Sequence, residues 1–179
     1  MRAGLTRRHV LALAAAGGAL VTAGGVGLAL QGTVLREPRV PLQELDPVSF
    51  SVFAAAADRF CPATEGLPSA WDLQVPEKLD ALLAAQHPGV GAELGQVLWL
   101  LENALAGLVL DRHVRPFSAC DAQTQDRVLR DWQRSAVSIR RTAYKALRGL
   151  SCAPYWADPQ VFAHVGYPGP PQFRIPEPR

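Results

Sequence analysis

Apolar residues recur at helical spacing through most of the chain. In ELDPVSFSVFAAAADRFCPA, Phe50, Phe53, Ala57 and Phe60 stand 3, 4 and 3 residues apart, which predicts a helix with one apolar stripe. Asp46 is suited to cap its N-terminus, Pro47 to its first position, and Pro62 ends it. Pro76 opens a short second helix, PEKLDALLAA, which His87-Pro88-Gly89 closes. The third, GAELGQVLWLLENALAGLVL, is the most apolar and is expected at the centre of the fold. Leu94, Leu98, Leu101, Leu105 and Leu108 form its face, Val97, Trp99 and Leu100 widen it, and Glu102 is expected on its wet side. Ser118 or Asp121 caps a fourth helix that turns Val128, Leu129 and Trp132 inward. A fifth is expected to bury Ala136, Ile139, Ala143, Leu147 and Leu150, leaving Arg134, Arg140, Arg141, Lys145 and Arg148 opposite.

No stretch alternates strongly with period 2, and no internal repeat is visible. The pattern therefore predicts an all-α fold: a single bundle of about five helices over residues 45–179. Residues 31–44 read as a linker. From Ser151 onward, Pro154, Pro159, Pro168, Pro170, Pro171, Pro176 and Pro178 predict an extended tail. That tail holds Tyr155, Trp156, Phe162, Tyr167 and Phe173, five aromatics within 19 residues. Such rings either pack on their own domain or serve as anchors on another protein.

Charge changes the picture at the N-terminus. The chain has 179 residues and a formal net charge of +2, too small to indicate a nucleic-acid partner. Residues 1–35 hold Arg2, Arg7 and Arg8 and no acid, whereas beyond Leu35 there are 15 basic and 16 acidic residues. Between Val10 and Leu30 there is no charge, but five glycines weaken that run as a permanent span. Residues 1–30 thus read as an export leader. Thr6-Arg7-Arg8-His9-Val10-Leu11 resembles a twin-arginine signal carried by Arg7, Arg8 and Leu11, with Val10 and Ala12 departing from the usual Phe and Lys. Export by that route implies a periplasmic protein, tethered to the membrane if the leader is not cleaved.

Candidate chemistry is sparse. Glu-x-x-His pairs, H-E-x-x-H, G-x-S-x-G, the Walker A pattern and G-x-G-x-x-G are all absent. His113 lies in a charged loop, and His87 and His164 have local explanations. No catalytic, cofactor-binding or metal-binding residue is therefore assigned. The basic side of the fifth helix is either a solvated face or a docking face for an acidic surface. Cys61, Cys120 and Cys152 form no C-x-x-C motif. In an exported protein they suit one internal disulfide plus a leftover thiol, or else three small buried residues.

Several stretches carry a family resemblance. They are AAADRFCPATEGLPSAWDLQVPEKLDALL, DAQTQDRVLRDWQRS and ALRGLSCAPYWADPQVFAHVGYPGP, which ends on Gly166-Tyr167-Pro168-Gly169-Pro170. With the leader, they make the chain resemble the gluconate 2-dehydrogenase subunit 3 family over most of residues 45–170; Tyr155-Trp156 replaces a more usual Tyr-Tyr pair. The resemblance implies a small subunit that binds no cofactor and performs no chemistry. Its partner would be a large FAD-binding subunit of the glucose–methanol–choline oxidoreductase family, often accompanied by a multi-haem cytochrome c. One leader would then serve two chains, since the twin-arginine translocase accepts folded cargo. On this reading Cys152, Tyr155, Trp156, Phe162, Tyr167 and Pro168 meet the partner. Cys152 is the choice for an inter-subunit disulfide, which leaves Cys61 and Cys120 to pair internally. The competing expectation is a stand-alone exported helical enzyme or ligand-binding protein.

Overall fold

The structure, a computed structural model, describes residues 32–103 and 115–171. Six α-helices occur among them: α1 (Pro47–Phe60), α2 (Val75–Ala84), α3 (Pro88–Glu102), α4 (Ala122–Arg134), α5 (Ser138–Trp156) and α6 (Pro159–Val165). A 3₁₀ turn, Phe117–Ala119, precedes α4. The described residues contain no strand, only an isolated bridge between Thr64 and Leu67. The fold is all-α. Residues 1–31, with Arg7, Arg8 and Leu11 of the expected leader, lie outside the described residues, as do Leu105, Leu108, His113 and Phe173.

The centre is α1 and not the leucine-rich α3. Every residue from Ser49 to Ala57 is buried, and α1 packs against α2, α3, α4, α5 and the 3₁₀ turn. The reason is size. The run Ala54-Ala55-Ala56-Ala57 lets neighbours approach closely, while Phe50, Val52 and Phe53 fill the spaces between them. A helix apolar on all sides belongs inside. Asp46 caps α1 as its sequence predicts: Oδ1 accepts from the Val48 and Ser49 amides at 2.9 and 3.0 Å, and Oδ2 from the Ser49 hydroxyl at 2.6 Å. Asp121, not Ser118, caps α4 by accepting from the Thr124 amide at 2.8 Å. His87 begins α3 instead of closing α2, its Nδ1 accepting from the Gly89 amide at 3.2 Å.

Residues 32–44 carry no helix, but they are docked on the bundle rather than hanging as a bare linker. Buried Asp80 accepts amide hydrogens from Gln43, Glu44 and Leu45 at 2.7, 3.0 and 2.7 Å. Arg36 donates to Asp58 at 2.6 Å and its amide donates to the Ser51 hydroxyl at 2.8 Å. The Arg36 and Arg39 guanidinium groups stand 5.3 and 5.2 Å from the Trp71 ring centre, a cation–π clamp. Further upstream, the Val34 amide donates to the Ser118 hydroxyl at 3.1 Å. That hydroxyl donates onward to Glu102 at 2.6 Å, and the Ser118 amide does so at 2.8 Å. Glu102 is thus buried, against the expectation that it faces water. Two hydrogen bonds from one serine compensate its lost hydration.

The extended tail predicted from Ser151 onward is corrected over residues 151–165, while residues 172–179, with Phe173, Pro176 and Pro178, lie outside the described residues. Helix α5 runs through Pro154 to Trp156, and α6 follows after a two-residue break. Pro154 sits in the last turn of α5, where it has no amide to donate to the Leu150 carbonyl, and the helix ends two residues later. Asp158 caps α6 by accepting from the Gln160 amide at 2.9 Å, with Pro159 at the first position. Gly166, at φ +69°, ends α6 so that the Tyr167 amide donates back to the Phe162 carbonyl at 3.0 Å. An ion pair of 2.6 Å between Lys78 and Asp158 fastens this end to α2.

Candidate partner-binding surface

The inward face of α5 is Arg140, Ala143, Leu147, Ser151 and Tyr155. It shares Ala143 and Leu147 with the predicted stripe but is rotated from it, so Ile139 is 59% exposed. Small residues at positions 143 and 151 let α5 settle against its neighbours. The Arg140 guanidinium lies 5.4 Å from the Trp132 ring centre, where the aromatic face offsets part of the cost of burying its charge. Arg141 caps the chain before it by donating to the Ser135 and Ala136 carbonyls, and Arg134 belongs to α4. The five cations therefore do not form one basic face.

Turning Ile139 outward leaves an apolar groove between α3 and α5 of about 950 Å³. Val97, Trp99 and Leu100 form one wall, Ile139, Ala146 and Leu150 the other. Trp99 is 62% exposed and also lines an adjoining hollow of about 330 Å³ beside Val48 and Val52. An exposed tryptophan beside an exposed isoleucine in a concave apolar surface is the composition of a protein-binding patch. The sequence reading missed it by placing both α3 and Ile139 in the core. The available signal was surplus. Leu94, Leu98 and Leu101 already supply the stripe α3 needs, and Val97, Trp99 and Leu100 exceed it.

The predicted partner-binding residues divide. Tyr155 is buried in its own domain, its hydroxyl donating to the Pro68 carbonyl at 2.8 Å, and burial raises its phenol above the ordinary value. Trp156, beside it with ring centres 5.3 Å apart, is 49% exposed. Phe162 is half-buried and meets Tyr167 edge to face at 5.0 Å; Tyr167 is 46% exposed and Pro168 is exposed. Trp156, Tyr167 and Pro168 thus form surface, whereas Tyr155 holds the surface in place. Cys152 does not stand alone: its Sγ lies 3.8 Å from that of Cys61. Cys61 therefore meets Cys152 and not Cys120, whose thiol donates to the Pro116 carbonyl at 3.3 Å. Among the described residues, no group of three or more His, Cys, Asp or Glu side chains is placed to hold a metal ion.

An all-helical domain with two exposed apolar and aromatic surfaces has the architecture of a protein that associates. The sequence model of gluconate 2-dehydrogenase subunit 3 matches residues 48–169, and the chain belongs to that family. It is a small subunit of the dehydrogenase type. Neither the curated proteins nor the solved structures compared with it give a match. The matched range spans α1 to the turn after α6, so it holds the groove and the aromatic end together and omits residues 1–47, among them the docked segment 32–44, a strap on the bundle.

Proposed function

We propose that this chain is the non-catalytic small subunit of a periplasmic FAD-dependent sugar or alcohol dehydrogenase. It binds and stabilises a glucose–methanol–choline-type flavoprotein and escorts it through the twin-arginine pathway. FAD and the reaction belong to the partner, and a multi-haem cytochrome c is the natural third member. The observation that carries this reading is the α3–α5 groove with Trp99 on its rim: a large apolar surface that none of the described residues covers, in a chain of a dehydrogenase-subunit family. A flavoprotein surface covering the groove removes that area from water, and the exposed Trp156 and Tyr167 supply further anchors. The strap supports the escort role, since hydrogen bonds from residues 34–45 tie the segment that follows the leader onto the folded bundle.

Co-expression with the flavoprotein tests the proposal. With the whole chain, both proteins and the FAD-linked activity are expected in the periplasm; without residues 1–30, both are expected to stay in the cytoplasm. Flavoprotein exported unchanged in the absence of the leader would refute the escort role.

A further inference from the structure

We propose that Cys61 and Cys152 form an intrachain disulfide that staples the end of α1 to the last turns of α5, leaving Cys120 as a thiol. The two residues are 91 apart in sequence, yet their sulfurs lie 3.8 Å apart, in contact and unbonded. A disulfide holds its sulfurs at about 2.05 Å, so the pair must close by a further ~1.75 Å.

What fixes the pair is the packing on either side of it. The Cys61 amide donates to the Ala57 carbonyl at 2.8 Å, and its carbonyl accepts from the Ala70 amide at 2.8 Å. One residue earlier, Phe60 meets Tyr144 of α5 edge to face at 5.5 Å. On the other side Tyr155, one turn beyond Cys152, is held to Pro68 through its hydroxyl. The end of α1 and the loop that follows it are therefore joined to α5 on either side of the cysteines by contacts that do not involve sulfur. This gives the thiols a high effective concentration for each other.

The chemistry needs an external oxidant, and a small-molecule or protein disulfide is sufficient. Cys152, the less buried thiol, attacks the donor disulfide as its thiolate, breaks the S–S bond, and releases one donor thiolate. Cys61 then loses its proton to solvent and attacks the Cys152 sulfur, releasing the second donor thiolate. Two protein thiols are oxidised and one donor disulfide is reduced to two thiols. Burial, with the neighbouring Cys152, raises the Cys61 thiol above the ordinary value, which leaves Cys152 as the first of the two to attack.

This inference stands whether or not the chain carries a flavoprotein, and its test needs only the full chain. The reduced, folded protein is treated with excess oxidised glutathione near pH 8, alkylated, digested without reductant and mapped by mass spectrometry. The expected result is one cross-link, between the Cys61 and Cys152 peptides, with Cys120 alkylated. The oxidised form is expected to unfold at higher urea than the reduced form. Cys120→Ser should retain that difference and Cys152→Ala abolish it. Three alkylated cysteines after oxidation would overturn the proposal, as would a cross-link to Cys120. So would Cys152 bound to a second chain in the purified complex, the outcome expected of an inter-subunit bridge.

Discussion

Helices α1 and α3 carry similar apolar weight in the sequence and end in opposite situations. The first, built on a run of alanines, is buried from Ser49 to Ala57 and packs against almost every other element. The second is richer in leucine, yet it leaves Trp99 on the surface and opens a groove toward α5. The difference is one of fit. Small side chains let four helices converge on α1, whereas Trp99 stays 62% exposed on the rim of the groove that separates α3 from α5. Their caps differ in the same sense. Asp46 holds two amides and a hydroxyl, while His87 holds one amide at 3.2 Å. The first helix organises the core, and the second presents an apolar face that none of the described residues covers.

The strongest way to break that division is to cut into α1. Phe53 is fully buried, so Phe53→Ala leaves a cavity and is expected to cost about 3–5 kcal/mol, enough to unfold a marginal domain. Urea unfolding followed by circular dichroism measures it. A loss under about 1 kcal/mol would show that α1 is not the packing centre.

Trp99→Ala should do the reverse. Its side chain is mostly in water, so stability should shift by no more than about 0.5 kcal/mol. Affinity for the flavoprotein should fall about 30-fold, the equivalent of roughly 2 kcal/mol, if Trp99 is a central anchor of the interface. Titration calorimetry against the purified large subunit checks both halves when paired with urea unfolding. Strong destabilisation with unchanged affinity would return Trp99 to the core and remove the groove from the binding surface.

The sequence made the helices legible and their environments much less so. Asp46-Pro47 announces α1, and the same Asp-Pro pair at 158–159 announces α6. The run of prolines from Ser151 onward hides the second, because it points to an extended tail. Proline tolerates the first turn of a helix, which makes Asp-Pro a start signal even in a proline-rich stretch. Helical period likewise placed Ala143 and Leu147 of α5 inward but could not rotate the stripe finely enough to expose Ile139 and bury Arg140. That choice depends on Trp132 of a different helix, which lies outside any local window. The Cys61–Cys152 approach, 91 residues apart, is of the same kind. As for the exposed surface, composition pointed to the stretch that holds Trp156, Tyr167 and Pro168, and the groove was missed.

The smallest effect sharpens the contrast between the two caps. Asp46→Ala should cost about 1 kcal/mol, whereas His87→Ala, which removes a single long hydrogen bond, should cost less. Acid adds a signature specific to Asp46. Burial pushes its carboxyl up, but the Ser49 hydroxyl and the Ser49 and Val48 amides outweigh burial and hold it below the ordinary carboxylate value. A carboxylate with a depressed folded pKa contributes stability above the unfolded value of about 3.9, and that contribution is lost as pH falls through the folded value. Asp46→Asn keeps a good capping side chain and removes the titration. Near pH 7 it should lie within about 0.5 kcal/mol of the wild type, with a shallower loss of stability below about pH 4. Asp72, Asp121 and Asp158 are also held below the ordinary value, so part of the acid sensitivity remains in the variant. Parallel curves for the two proteins down to pH 2 would mean that the Asp46 cap does not distinguish its protonation states, and that α1 owes its order to packing alone.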